Sequence, residues 1–181
     1  MAAMSLTACA ASGAVIRSGE RYAINDALSE TYPLGAGDKV RVTVFNEPTL
    51  SGEFTVSSDG EMSLPLVGDV PVGGKTTKDV AAVFARLLAD GYLRDPKVSM
   101  EVSAYRPFFI LGEVARPGQY PYVAGMTAFS AVATASGFTP RAKKSRVFIR
   151  HRGEEAELEY ELTPFLRVLP GDTIRVAERY F

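Results

Sequence analysis

The sequence predicts an α+β protein made of two small tandem sheet-plus-helix domains. Three observations predict it. Short segments that alternate apolar and polar side chains dominate the chain, which is the period of half-buried strands. Two segments carry helical spacing, and each opens on a Gly-x-Thr step, Gly74-Lys75-Thr76 and Gly125-Met126-Thr127. Each step follows a short strand and a glycine-containing turn, so the halves echo each other without a fixed repeat period. Strands mixed with single helices in this way belong to the α+β class.

The elements follow in order. Residues 39–45 place Val40, Val42 and Val44 on one face and Lys39, Arg41 and Thr43 on the other, a half-buried strand. Residues 54–56 begin a second strand, and Ser58-Asp59-Gly60 turns the chain into Met62-Ser63-Leu64. Residues 68–74, rich in Gly, Pro and Val, form a bent strand or loop. Residues 76–91 carry the strongest helical signal: Thr76 and Asp79 have capping-box spacing, and Val80, Val83, Phe84, Leu87 and Leu88 form one apolar stripe. Gly91 stops it. Asp95-Pro96 breaks the chain direction, and Val98, Met100 and Val102 alternate along another strand.

The boundary between the domains falls near Arg106-Pro107. Beyond it, Phe109-Ile110-Leu111 is an apolar strand, Arg116-Pro117-Gly118 a turn, and residues 120–123 a short strand. Residues 127–136 are a short helix closed by Gly137. Residues 146–151 and 155–162 read as a hairpin around Gly153, and Pro170-Gly171-Asp172 leads into a last strand over 173–176. Residues 1–31 read as a tether with one short helix around 23–30, residues 32–106 as the first domain and residues 107–181 as the second.

Composition narrows the function. Hydrophobic residues make up 46% of the 181 and charged residues 23%, the balance of a folded protein. The net charge of -1 argues against nucleic acid as a partner, since that role calls for a strongly basic domain. No run of 18 apolar residues encodes a transmembrane helix. Nothing in the chain reads as catalytic, metal-ligating or cofactor-binding. His151, the only histidine, falls in the predicted hairpin between Arg150 and Arg152 and reads as a surface turn residue, not a general base. Asp38, Asp59 and Asp172 each sit beside a glycine, as ordinary turn chemistry. Neither Gly35-Ala36-Gly37-Asp38-Lys39 nor Gly74-Lys75-Thr76 completes a phosphate-binding loop. Phe108, Tyr120, Tyr122 and Phe138 have the chemistry to stack on sugar rings, and core packing is the preferred reading.

The basic run Arg141, Lys143, Lys144, Arg146, Arg150 and Arg152 precedes Glu154, Glu155, Glu157, Glu159 and Glu161. A hairpin with Arg152-Gly153 as its loop sets Arg150 opposite Glu155 and Arg146 opposite Glu159. Val147 and Ile149 then oppose Leu158 and Ala156 on the buried face. Arg141, Lys143 and Lys144 stay unpaired in that register.

Several segments, in order, resemble the bacterial outer-membrane polysaccharide export proteins. They are Tyr32-Pro33-Leu34-Gly35-Ala36-Gly37-Asp38-Lys39-Val40, Val56-Ser57-Ser58-Asp59-Gly60 with Leu64-Pro65-Leu66-Val67-Gly68, and Tyr92-Leu93-Arg94-Asp95-Pro96. After them come Arg106-Pro107-Phe108-Phe109-Ile110-Leu111-Gly112-Glu113-Val114, Pro117-Gly118-Gln119-Tyr120, Ala135-Ser136-Gly137-Phe138 and Pro170-Gly171-Asp172-Thr173-Ile174. Ser136 stands where such proteins often have a glycine. Leu6-Thr7-Ala8-Cys9 resembles a lipobox, with Cys9 as the lipidation site, although the eight residues before it lack the usual basic start.

The resemblance implies a polysaccharide export domain over 32–106 and a β-grasp-like SLBB domain over 107–181. It implies a lipoprotein in the periplasm, anchored to the outer membrane and assembled as an oligomeric ring. Its partners would be an inner-membrane polysaccharide co-polymerase and the capsular or exopolysaccharide in transit. Long members carry further SLBB domains and a C-terminal amphipathic helix; a chain that ends at Phe181 resembles a short form. Arg141, Lys143 and Lys144 become the candidate contact for an acidic polysaccharide or partner surface. The alternative is a periplasmic SLBB-type ligand-binding or adaptor module without a pore, which a monomeric native mass would favour.

Overall fold

The structure is a computed structural model and describes residues 32–179. Cys9 and the short helix expected around 23–30 lie outside the described residues. The α+β expectation holds: two sheet-plus-helix domains follow one another along the chain.

The first domain is organised by β1 (Lys39–Val44), which buries Val40, Val42 and Val44 and exposes the residues between them. It lies between β2 (Gly52–Thr55) and β5 (Val98–Ala104), antiparallel to both, with Val42 opposite Gly52 and Met100. Strands β3 (Glu61–Leu64) and β4 (Gly68–Pro71) form a separate two-stranded sheet. The turn through Asp59 therefore leads into a new sheet and not into a hairpin with β2. Helix α1 (Thr77–Ala89) closes the core with Val80, Phe84 and Leu88. Its capping box is complete, with the Thr76 hydroxyl accepting from the Asp79 N–H and the Asp79 carboxylate accepting from the Thr76 N–H.

The second domain is a five-stranded mixed sheet in the order β7-β6-β10-β8-β9, with one short helix packed on it. Its strands are β6 (Phe108–Gly112), β7 (Gly118–Tyr120), β8 (Ala142–Arg150), β9 (Leu158–Glu161) and β10 (Thr173–Glu178), and its helix is α2 (Ala128–Thr134). The central strand β10 is parallel to β6 and antiparallel to β8. Across the sheet Ile110, Ile174, Ile149 and Leu158 stand in register, and so do Val176, Val147 and Tyr160. Helix α2 presents Ala128, Ala131 and Val132 to this surface. These small side chains let the helix lie close to the sheet. Gly112 has a positive φ of 84°, and a Cβ there would meet the Val176 carbonyl oxygen at 2.1 Å, so β6 needs glycine to end beside β10.

Three local expectations change. Strand β7 ends at Tyr120 because Pro121 lacks the N–H that would extend the ladder. Only Phe108 and Ile110 of the apolar β6 run face inward; Phe109 and Leu111 are exposed. The β8/β9 pairing slips by two residues from the expected register, with Val147 opposite Tyr160 and Ile149 opposite Leu158. A slip of two keeps every side chain on its face. It replaces Ala156 in the core by the fully buried Tyr160. Arg146 still reaches Glu159, now along a diagonal, at 3.1 Å.

Among the described residues no helix is long and apolar enough to cross a membrane. Phe84→Ala is expected to lower stability by about 3–5 kcal/mol in urea unfolding, and Leu87→Ala, on the exposed edge of the same stripe, by no more than about 1 kcal/mol.

Candidate functional site

The two domains meet at a joint built from one repeated turn. In each domain a Gly-Asp pair precedes a central strand: Gly37-Asp38 leads into β1 and Gly171-Asp172 into β10. Asp38 Oδ2 accepts the Gly35 N–H at 2.8 Å, and the Asp38 N–H donates to the Gly35 carbonyl at 3.0 Å. Asp172 Oδ2 accepts the Leu169 N–H at 2.8 Å, and the Asp172 N–H donates to the Leu169 carbonyl at 3.2 Å. Both carboxylates are buried, at 0% and 1% exposure. A buried carboxylate needs partners, and the joint supplies them.

For Asp38 the partners come from both ends of the domain. The Tyr32 hydroxyl donates to it at 2.9 Å, the Arg106 backbone N–H at 2.7 Å and Arg106 Nη1 at 3.3 Å. Arg106 Nε donates at 3.0 Å to the Pro170 carbonyl in the second turn. One side chain in the linker thus ties both turns together. A Cβ at Gly35 would lie 1.8 Å from Arg106 Nη1, so only glycine leaves room for the guanidinium there. Arg152 adds a second tie, donating from Nη1 to the Ala36 carbonyl at 2.8 Å.

Aromatic rings carry the joint deeper. Tyr32 meets Tyr105 edge-on at 5.0 Å, Tyr105 meets Tyr122 at 5.5 Å, and Tyr105 packs against both cores. The Arg106 guanidinium lies over the Tyr32 ring at 5.4 Å. Burial, and then the nearby Asp38 charge, push the Tyr32 hydroxyl far above the usual phenol range. The same two causes raise Tyr105, and burial raises Tyr122 to about 12.

His151 supplies the partner for Asp172, with Nδ1 2.6 Å from Oδ1. The surface-turn reading of this histidine is corrected: its side chain is 11% exposed, and its Nε2 is buried without a hydrogen-bond partner among the described residues. Strand β8 ends at Arg150, and the chain folds back against the second turn before it enters the acidic loop. Over the joint opens a cleft of about 480 Å³ whose walls include Arg106, Phe109, Gln119, Arg150, His151 and Arg152.

The residues singled out from the sequence lie elsewhere. Cys9 is outside the described residues. Arg141 is not unpaired, because β10 runs two residues beyond its expected end and brings Glu178 into contact with it. Lys143 is half-buried and Lys144 exposed, and neither forms an ion pair among the described residues. They sit near the start of β8, roughly 20 Å of extended chain from Arg150. Phe108 and Tyr122 are core residues, and Phe108 stacks on Tyr120 at 6.0 Å between centroids. Asp38, His151 and Asp172 were legible only as turn residues; the one available signal was the repeated Gly-Asp before a strand. Among the described residues no cluster of three His, Cys, Asp or Glu side chains is placed to hold a metal ion.

Comparisons with known proteins add an independent line. Residues 26–103 match the family model described as polysaccharide biosynthesis/export protein, and residues 107–158 match the SLBB domain. The chain is 38% identical over 157 residues to the exopolysaccharide production protein ExoF of Rhizobium meliloti, covering 80% of this chain and 35% of that one. It is 30% identical over 162 residues to the EPS I polysaccharide export outer membrane protein EpsA of Ralstonia nicotianae, covering 83% of this chain and 42% of the relative. It is 25% identical over 158 residues to the polysialic acid transport protein KpsD of Escherichia coli, covering 82% and 28%. The chain therefore spans less than half the length of the curated relatives it matches.

Two outcomes follow for the joint. Asp38→Ala strips Arg106 and Tyr32 of their shared acceptor and should destabilise the protein by about 3–5 kcal/mol in urea titrations. The raised tyrosines make stability pH-dependent at the alkaline end. Tyr32 and Tyr122 remain protonated in the fold after an unfolded phenol ionises near 10, so stability is full below pH 10 and falls above it. Each withdraws up to about 1.4 kcal/mol per pH unit, and the Tyr122 contribution levels off near 12. Urea midpoints measured from pH 9 to 12 are expected to decline less steeply in Tyr32→Phe and Tyr122→Phe.

Proposed function

The chain belongs to the polysaccharide export protein family, and on that premise we propose that it forms an oligomeric ring in the periplasm that passes capsular or exopolysaccharide outward. The observation that carries this reading is the order of its two domains: a polysaccharide biosynthesis/export match over residues 26–103 is followed directly by an SLBB match over residues 107–158. The relatives' names, which refer to exopolysaccharide production, outer-membrane export and polysialic acid transport, support a place in the outer-membrane-associated envelope.

In this proposal a lipid on Cys9 anchors each copy to the outer membrane; two or more acyl chains make such anchoring stable. The ring works passively. Synthesis and an inner-membrane co-polymerase drive the polymer, and the ring offers it a hydrated path. A closed ring needs each copy to present the same two surfaces at the same angle. The Asp38–Arg106 tie supports this, because it holds the two domains of one copy at one angle. Lys143 and Lys144 are the proposed contacts for the acidic polymer or an acidic partner surface, and Arg141 joins them only if it exchanges Glu178 for that partner.

The test is a deletion strain complemented with wild type or Cys9→Ala, with surface polysaccharide as the readout and native mass measured on purified protein. Loss of polysaccharide that wild type restores and Cys9→Ala restores poorly, together with a multi-copy mass, is the expected result. Unchanged polysaccharide in the deletion strain and a monomeric mass would overturn it in favour of a periplasmic ligand-binding or adaptor module.

A further inference from the structure

We propose that the cleft over the domain joint is a binding site for an acidic saccharide unit, with its carboxylate held by Arg150 and Arg152 and its ring resting on Phe109. The saccharide class rests on the export reading; the charge and shape of the site rest on the joint alone.

Charge is the first argument. Among the described residues three arginines line the cleft and no carboxylate does. The two carboxylates below it are already engaged, Asp38 by Tyr32, Gly35 and Arg106 and Asp172 by His151 and Leu169. Arg106 is committed to Asp38 and to the Pro170 carbonyl. Arg150 is exposed and forms no ion pair among the described residues. Arg152 uses Nη1 on the Ala36 carbonyl, which fixes the side chain while its other donors remain. A guanidinium carries five N–H donors in a planar fork suited to a carboxylate. The acidic loop that follows does not neutralise the site: its side chains do not line the cleft, and Glu157 is drawn to Arg175 at 2.6 Å.

Shape and the remaining chemistry narrow the ligand. Phe109 is 41% exposed although it sits on a strand whose neighbours Phe108 and Ile110 are fully buried. The negative face of an aromatic ring attracts the weakly positive C–H edges of a sugar ring. Gln119 and Thr173 add neutral hydrogen-bonding groups to the wall. The volume of about 480 Å³ lies within the range of small-ligand sites, about 300–1,000 Å³. A flat apolar ring beside paired cations and neutral donors fits a uronate-type unit better than an acidic peptide, which needs only the cations.

Calorimetric titration of the full chain tests this with oligogalacturonate, a neutral malto-oligosaccharide of equal length, and oligoglutamate. Oligogalacturonate should bind wild type, about tenfold or more weakly in Arg150→Ala and in Phe109→Ala, and unchanged in Lys78→Ala, an exposed cation on α1 outside the cleft. The neutral sugar should bind at least about tenfold more weakly than the acidic one. Absent binding, or equal binding in wild type and Arg150→Ala, overturns the site. Oligoglutamate binding as tight as oligogalacturonate and indifferent to Phe109→Ala also overturns it, and shows an acidic-protein surface instead. A change of native mass in Arg150→Ala with saccharide binding intact would assign the cleft to contact between copies, where the groove bearing Glu53, Asp59, Glu61 and Asp69 is the complementary face. Failure here leaves export separately readable: a chain that restores surface polysaccharide in the deletion strain while binding no acidic sugar loses this cleft and keeps its family role.

Discussion

The Asp38 carboxylate has no exposure to solvent, and its partners come from well-separated parts of the chain. Tyr32 precedes the first strand, Gly35 belongs to the turn itself, and Arg106 arrives after the last strand of the domain. A buried carboxylate without such partners would cost several kcal/mol. The first domain is therefore closed where the second begins. Because the same arginine also reaches the Pro170 carbonyl, closing one domain orients the other. The Tyr32–Tyr105–Tyr122 contacts extend that constraint into both cores.

The second domain repeats the device with different chemistry. Asp172 closes its turn through Leu169 and is then met by His151 instead of an arginine. Placing His151 there turns the end of β8 toward the first domain. Arg150 and Arg152 flank it, and Arg152 reaches the Ala36 carbonyl. The cationic cleft is thus a consequence of the joint: the turns bring the arginines together, and the buried aspartates beneath them are already satisfied. The same arginine and histidine contacts that hold the two turns together also form the wall of the cleft.

The parts of this architecture that were legible in sequence are those decided by neighbours in the chain. Alternation over β1 and the stripe of α1 follow from local period, and the Thr76 cap follows from three-residue spacing, so none of them waits on a distant contact. The end of β7 was locally encoded as well, in Pro121, whose missing N–H stops the ladder inside the strand expected over 120–123. The β8/β9 register was not locally encoded. Two registers differing by two residues bury the same faces, and the choice fell to the volume of Tyr160 in a core assembled from several strands.

By itself, then, the sequence determined the α+β class, the two sheet-plus-helix units, the Thr76 cap and the ordered segments that resemble polysaccharide export proteins, because period, turn residues and motif order are properties of the chain alone. Tertiary structure alone decided that Asp38 and Asp172 are buried anchors rather than surface turns, that Arg141 meets Glu178, and that His151 leaves the surface to join Asp172. Those outcomes depend on which charged groups the folded sheets exclude from water, and a charge far away in sequence becomes a partner only when burial has made being unpaired too costly.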